Sequence, residues 1–308
     1  MYDLAIIGGG PAGASAGIYA ARKKLKTVFI TKDFGGQSIV ASDIQNWLGT
    51  ESVSGKDFGK MVENHVRSYS NESLKIEEGR YAESLKQTTD NTFILKTDDG
   101  KEYESRAILI CTGGRRRKLN VAGSEKFENK GITYCATCDA PMFSGQKVAV
   151  VGGGNAGFGT ASQLTSYAKE ITILNNSDKF MADPLRVEEV LRDPKVKALN
   201  NADVKEIKGD KMVSALIYEN KETGELCELD VTGIFVEIGM IPATDIVKKI
   251  VELDDRGYII VNHKNQKTSV QGIWAAGDCT DSPYKQNIIA AGAGATALED
   301  IYYEMKLS

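Results

Sequence analysis

Short apolar runs followed at once by glycine clusters set the pattern of this chain. Residues 4–7 form such a run and lead into Gly8-Gly9-Gly10-Pro11-Ala12-Gly13. Residues 14–22 are alanine-rich and read as a helix, and residues 27–31 read as the next strand. The same order recurs later. A strand over 147–151 precedes Gly152-Gly153-Gly154-Asn155-Ala156-Gly157, a helical stretch covers 158–168, and a strand covers 170–174. Each is a β-α-β unit with G-x-G-x-x-G at its first turn, so the chain carries a long-range pseudo-repeat. Glycines there let the backbone turn tightly and approach a pyrophosphate. The helix N-terminus adds unclaimed N–H groups and a partial positive charge.

A third glycine-rich region lies near the end. Residues 272–278 read as a strand closing on Gly277-Asp278, and residues 290–295 as a helix of small residues. Each glycine inside a helix costs roughly 1 kcal/mol relative to alanine. That helix is therefore expected to pack closely against a flat ligand or another backbone. Strands are also expected over 93–96 and 106–111. The run Arg115-Arg116-Arg117-Lys118 reads as a solvated linker or as a docking patch for an acidic partner.

Composition narrows the class. A chain of 308 residues has room for two domains and buries enough apolar surface to hold its core without metals or disulfides. A net charge of -4 gives no bulk affinity for nucleic acid or anionic membranes. No apolar run approaches the roughly 18 residues of a membrane span. The N-terminus runs directly into a strand with no basic segment or cleavage site, so a cytoplasmic location is expected.

Five cysteines, Cys111, Cys135, Cys138, Cys227 and Cys279, are too few and too scattered for a disulfide scaffold. Only Cys135-Ala136-Thr137-Cys138 has a chemical spacing. A zinc site needs further ligands, and no second half-site is visible beside the isolated His65 and His263. A structural disulfide closing so small a loop removes little chain entropy. A redox pair fits the spacing best. Asp139 follows directly and reads as a general acid or base for the pair, or as a helix cap.

Taken in order, Gly8 to Gly13, Gly35-Gly36-Gln37, Cys135-x-x-Cys138-Asp139, Gly152 to Gly157, and Gly277-Asp278 with Gln286 resemble the low-molecular-weight thioredoxin reductases over nearly the whole chain. The resemblance extends to the flavoprotein subunit of alkyl hydroperoxide reductase. That subunit carries an extra N-terminal thioredoxin-like domain, which is expected to be absent here because the sequence starts at the first glycine motif.

The resemblance implies an α/β fold of two Rossmann-like nucleotide-binding domains, the second inserted into the first. Residues 1–116 and 245–308 would form a discontinuous FAD domain, and residues 117–244 a pyridine nucleotide-type domain carrying the cysteine pair. It places Gly8, Gly10, Pro11, Ala12 and Gly13 at the FAD pyrophosphate, and Gly36, Gln37 and Asn46 along the flavin. Thr112 and Gly113 sit at the return strand, Gly277 and Asp278 at the ribitol, and Gln286, Asn287 and Ile288 near the isoalloxazine. Gly152, Gly154, Asn155, Ala156 and Gly157 would face the nicotinamide nucleotide. Cys138 would face the flavin and Cys135 would attack the partner. The implied path runs from NADH or NADPH through FAD to Cys135–Cys138 and on to a thioredoxin or glutaredoxin-like protein, in a homodimer. The inserted domain would rotate about linkers at 113–120 and 239–244 to present nicotinamide and disulfide in turn.

Two departures concern the donor. Members using NADPH carry a His-Arg-Arg run where this sequence has Asn175-Asn176-Ser177. An NADH site prefers an acid about 20 residues past the glycines; Asn175 stands there, uncharged but able to hydrogen-bond a ribose hydroxyl. Gly159 replaces a customary glutamate. NADH is therefore favoured over NADPH, with ferredoxin or a reduced deazaflavin as other donors. A flavin-bound redox sensor without turnover is the alternative from a different class.

Overall fold

The computed structural model describes residues 1–41, 44, 46–70, 72–134 and 136–307. The chain divides into two compact units, Met1–Arg115 with Ile241–Ser308, and Arg116–Met240. The first unit opens with β1 (Tyr2–Gly9), α1 (Pro11–Arg22), β2 (Thr27–Phe34), α2 (Gly55–Ser68), β3 (Leu74–Glu78), β4 (Ala82–Gln87), β5 (Phe93–Thr97) and β6 (Glu102–Ile110). β7 (Gly114–Arg116) leads out of it. The second unit holds α3 (Ser124–Phe127), β8 (Ile132–Thr133), α4 (Ala136–Asp139), β9 (Lys147–Val151), α5 (Asn155–Leu164) and β10 (Glu170–Leu174). It continues through α6 (Pro184–Leu191), β11 (Val196–Leu199), β12 (Ala202–Gly209), β13 (Val213–Asn220), β14 (Leu226–Asp230) and β15 (Gly233–Val236). β16 (Met240–Pro242) pairs with β7 and leads back to β17 (Ile273–Ala275) and α7 (Asn287–Leu307).

In the first unit the sheet runs β3-β2-β1-β6, with β17 pairing beside β6. These strands are parallel. Leu4 to Ile7 are buried without alternation, as expected of strands covered on both faces. β6 changes character along its length. Glu102, Tyr103, Glu104 and Ser105 alternate between exposed and buried and pair antiparallel to β5, whereas Ala107 to Ile110 are continuously buried. The apolar run over 106–111 marks only the second half, because the first half carries a period-2 pattern.

The second unit repeats the parallel order as β11-β10-β9-β15, with β8 added at the far edge. A separate antiparallel sheet, β12-β13-β14, packs through Val204, Ile207, Val213 and Leu216 into a core shared with Val151 and Leu174. α5 departs from the helix expected over 158–168. It starts at Asn155, directly after the glycines, and ends at Leu164, where Tyr167 and Ala168 fold back on the Leu164 carbonyl in a turn.

The small-residue stretch near the end belongs to α7, which extends to Leu307. A Cβ on Gly294 would lie 2.0 Å from the Ala12 carbonyl oxygen, so here the missing side chain lets α7 meet the backbone of α1. Trp274 on β17 donates its indole N–H to Asp300 at 2.9 Å, fixing α7 against the sheet. No helix among the described residues is long and apolar enough to cross a membrane.

Candidate functional site

The first glycine loop is shaped by close backbone contacts. Gly8 has φ +113°, and a Cβ there would lie 2.2 Å from the Cys111 carbonyl oxygen at the end of β6. A Cβ on Gly13 would lie 1.9 Å from the Gly8 oxygen, and one on Gly9 would strike the Thr31 hydroxyl at 2.4 Å. Gly10 is different: nothing lies within 4 Å of its absent side chain. It caps α1 without a side-chain hydrogen bond, and Pro11 occupies the first turn. The fold therefore demands Gly8, Gly9 and Gly13. The room before Gly10, at the positive end of α1, faces outward and suits a phosphate.

Other predicted residues gather around this loop. Gly36 and Gln37 lie in the short 3-10 helix Gly36–Val40. Ser38 donates to Asn287 Oδ1 at 2.6 Å, and Asn46 Nδ2 donates to Gln286 Oε1 at 3.0 Å, so the segments carrying Gln37, Asn46, Gln286 and Asn287 converge. Ile288, in the first turn of α7, is 43% exposed. Gly277 seats against the methyl groups of Ala12 and Ala290. Beside it opens a cavity of about 250 Å³ bounded by Asp278, His263, Gln266, Ile289 and Ala293. Thr112 follows Cys111, and its buried hydroxyl has no hydrogen-bond partner among the described residues.

The charged groups here are held away from their ordinary states. Burial pushes the Asp278 carboxyl above the usual carboxylate range, with Lys285 opposing. Burial likewise pushes the Lys285 ammonium below the usual lysine range. Lys285 donates to the Thr280 and Asp278 carbonyls at 2.6 and 3.3 Å and lies over the Tyr258 ring, 4.2 Å from its centroid. Thr31, Cys111, Tyr258 and Lys285 are neighbours of the site that sequence reasoning does not single out. Thr31 alone carries a signal, since it closes the strand expected from the sequence over 27–31, which in the structure runs on to Phe34.

The second loop repeats the construction. Gly152 has φ +127° and would place a Cβ 2.2 Å from the Glu237 carbonyl oxygen, while Gly157 would place one 1.9 Å from the Gly152 oxygen. Gly154 has open space, like Gly10. Asn155 Oδ1 accepts the Asp183 N–H at 2.8 Å, and Ala156 is exposed in the first turn of α5.

Asn175 follows the strand β10. Its side chain is buried, and Nδ2 donates to Ser177 O, Lys179 O and Asn200 Oδ1 at 3.0, 2.9 and 2.8 Å. Its Oδ1 lies 2.6 Å from where a Gly153 Cβ would be. The amide nitrogen thereby organises its own loop. At Gly159, the Arg186 guanidinium stands 3.3 Å from the missing Cβ and fills the room a larger residue would take.

Cys135 lies outside the described residues. Cys138 belongs by its backbone to α4, and Asp139 accepts a hydrogen bond from the Thr133 hydroxyl. Asp139 makes no side-chain cap to the following 3-10 helix, so it is not the helix cap that its position suggests. Cys111, Cys227 and Cys279 are free thiols. The basic run is neither a free patch nor solvated throughout. Arg115 pairs with Asp245, Arg116 with Glu237 and Lys118 with Glu128, while the Arg117 N–H donates to the Gly239 carbonyl.

Comparisons with known proteins agree with this construction. A profile of the pyridine nucleotide-disulphide oxidoreductase family matches residues 2–297. The chain is 38% identical over 296 residues to a Bacillus subtilis protein named NADH dehydrogenase, covering 96% of this chain and 57% of that one. It is 36% identical over 297 residues to the F component of alkyl hydroperoxide reductase from Pseudomonas aeruginosa, with coverage of 96% and 57%. The chain thus spans little more than half the length of these curated relatives. Lactococcus lactis thioredoxin reductase superimposes with a TM-score of 0.92 at 30% identity, over 100% of both chains. T. acidophilum thioredoxin reductase gives 0.89 at 35% identity over 100% and 99%. The family and these neighbours imply flavin and nicotinamide cofactors. With its mixed α/β fold and two Rossmann-like domains, the chain belongs to the pyridine nucleotide-disulphide oxidoreductase family.

Proposed function

We propose that this protein is an FAD-dependent disulfide reductase of the thioredoxin reductase type. It would take electrons from NADH in preference to NADPH and deliver them through Cys135 and Cys138 to a thioredoxin or glutaredoxin-like protein. The observation that carries the reading is the pairing of two complete glycine loops, one per unit, with Cys135-x-x-Cys138-Asp139 in the same unit as the second. A purely structural role would need neither the open room before Gly10 and Gly154 nor a dithiol spacing.

The residues have distinct duties. Gly8, Gly10, Pro11, Ala12 and Gly13 would seat the FAD pyrophosphate at the start of α1. Thr112 would supply its unmatched hydroxyl and Asp278 its half-buried carboxyl to the polar flavin chain. Gly36, Gln37, Asn46, Gly113, Gly277, Gln286, Asn287 and Ile288 would form the walls. Gly152, Gly154, Asn155, Ala156 and Gly157 would seat the nicotinamide nucleotide. The arginines that would hold a 2′-phosphate are absent from 175–177, which favours NADH. Asn175 would act from beneath, by holding the loop 175–179 in place. The flavin, when bound, supplies two-electron chemistry between a nicotinamide and a disulfide. Asp139 would exchange a proton with the sulfur released when the disulfide opens, its Oδ2 steadied by Thr133. Cys135 would then attack the partner disulfide, and a homodimer in the cytoplasm is the expected working form.

An anaerobic titration of the purified yellow protein with NADH, NADPH and reduced ferredoxin tests the reading. Bleaching of the flavin by NADH is expected, and Cys138→Ser should keep that bleaching while losing thioredoxin reduction. Bleaching by ferredoxin alone, or thioredoxin reduction that survives Cys138→Ser, would overturn it.

A further inference from the structure

The turn that joins Asp278 to α7 is closed by one lysine. Lys285 stands directly before Gln286, whose carbonyl accepts the Ala290 N–H at 2.9 Å and so begins the helix. From there the Lys285 ammonium reaches back to the Thr280 carbonyl at 2.6 Å and to the Asp278 carbonyl at 3.3 Å. The two ends of this turn carry residues with one proposed ligand. Asp278 is at one end, and Gln286, Asn287 and Ile288 follow the other. A single ammonium therefore ties together two parts of the flavin seat.

The near half of the turn is held by other means. The Ile259 N–H donates to the Cys279 carbonyl at 2.9 Å, and the Asp281 N–H donates to the Ile259 carbonyl at 2.9 Å. The Thr280 hydroxyl donates to the Gly277 carbonyl at 2.8 Å. These contacts fix residues 279–281 beside the segment that carries Tyr258. Lys285 carries the closure on to α7.

The surroundings of the ammonium are unusual. Its neighbours are two carbonyls and the Tyr258 ring, 4.2 Å away at the centroid, and it forms no ion pair among the described residues. The same ring receives the Arg256 guanidinium at 5.4 Å, but Arg256 is exposed and pairs with Asp254. Burial is what pushes the Lys285 ammonium down, and Arg256 adds to it, against the opposing pull of Asp278, Cys279 and Asp281. A lysine lowered in the folded state weakens the fold wherever it is charged, and the loss is relieved only as pH rises through the lowered value. A charge that costs stability beside a binding site is the mark of a functional duty.

We propose that Lys285 is a positioning residue for the flavin: its ammonium fixes the turn between Asp278 and α7, so that the Asp278 carboxyl and the start of α7 meet the FAD together. The proposal rests on the first unit seating FAD, as argued above.

The test separates flavin binding from stability. The yellow protein is diluted in steps at neutral pH, and the flavin fluorescence that appears as FAD leaves gives the Kd. Flavin-stripped protein is melted in parallel. Lys285→Met keeps the length of the side chain and removes its charge and its donors. It is expected to weaken FAD binding by about tenfold or more, while the stripped variant melts no lower than the parent. Lys285→Arg keeps the charge and the donors, and its Kd should stay within about threefold of the parent.

FAD binding at parental strength in Lys285→Met would overturn the proposal. A stripped Lys285→Met protein that melts lower than the parent, or does not fold, would overturn it too, because the lysine would then be holding the fold. So would a Lys285→Arg protein that loses FAD as readily as Lys285→Met. A parent that holds no FAD removes the flavin reading itself, and this inference with it. A parent that holds FAD tightly beside an indifferent Lys285→Met removes only the inference.

Discussion

The two glycine loops are built alike and furnished differently. Gly8 and Gly152 each yield to a carbonyl oxygen at the end of the neighbouring strand, and Gly13 and Gly157 each yield to the first glycine's oxygen. The divergence begins at the next contact. Gly9 meets Thr31, which donates a single hydrogen bond to Asp33 O at 2.5 Å, whereas Gly153 meets Asn175, whose amide serves three acceptors. The strand end facing Gly8 carries Cys111, a buried thiol. The strand end facing Gly152 carries Glu237, which joins an ion-pair network. Backbone sterics fix the scaffold of a dinucleotide loop, and the side chains just behind it decide what the loop is connected to.

The comparison breaks most sharply where the two scaffolds are identical. Gly13→Ala and Gly157→Ala each force a methyl into a carbonyl oxygen, and each should destabilise its unit by about 3 kcal/mol or more. The first should yield protein without flavin. The second should stay yellow but lose bleaching by the nicotinamide nucleotide. A colourless Gly157→Ala protein would show that the loops do not serve separate ligands. Within α7, Gly294→Ala should cost about 2 kcal/mol by denaturant unfolding, because it strikes Ala12. Gly292→Ala, in the same helix but facing open space, should instead stabilise by about 0.5–1 kcal/mol.

Smaller effects sharpen the contrast behind the loops. Asn175→Asp would install the acid that the glycine spacing calls for, yet it removes a donor from three acceptors. We expect it to destabilise by about 1–3 kcal/mol without tightening NADH binding, as read by thermal unfolding and titration. Thr31→Val, at the matching position, should cost only about 1 kcal/mol.

The smallest effect is in pH dependence. Asp278 has its carboxyl pKa raised by burial, so its contribution to stability is full below the ordinary carboxylate value and is lost as pH rises through the raised one. In flavin-stripped protein, Asp278→Asn should therefore lose less melting temperature than the parent between acid and neutral pH. An equal loss in both would mean that Asp278 is not desolvated.

What is legible in the sequence follows from local physics. Continuous apolar runs ending in glycine announce β1 and β9, because such strands are buried on both faces and the glycines answer steric demands a few residues away. The first half of β6 escapes sequence reading because its alternation is split between charged and aromatic residues. β12, β13 and β14 escape it because their apolar face is completed by residues of β9 and β10. For Asn175 the spacing gives the place, and the structure adds the hold of its amide nitrogen on the loop that follows. Spacing locates a strand end, and it does not show which way an amide turns. The Arg116–Glu237 pair lies beyond sequence reading altogether, since its members are 121 residues apart and belong to no motif.

The close seat of α7 on α1 also bears on the order in which the protein takes shape during synthesis. Domains generally fold as units, the N-terminal one first, while the chain is still being made. Here Ala12, on the first helix, finds its packing partner only when Gly294 has been translated, and β6 gains its neighbour β17 only a little earlier. The inserted unit, Arg116–Met240, is complete well before that. The first glycine loop to be synthesised is thus the second to be finished, and the unfinished first unit, with its apolar strand edges exposed, is the state in which a nascent chain most needs protection from aggregation.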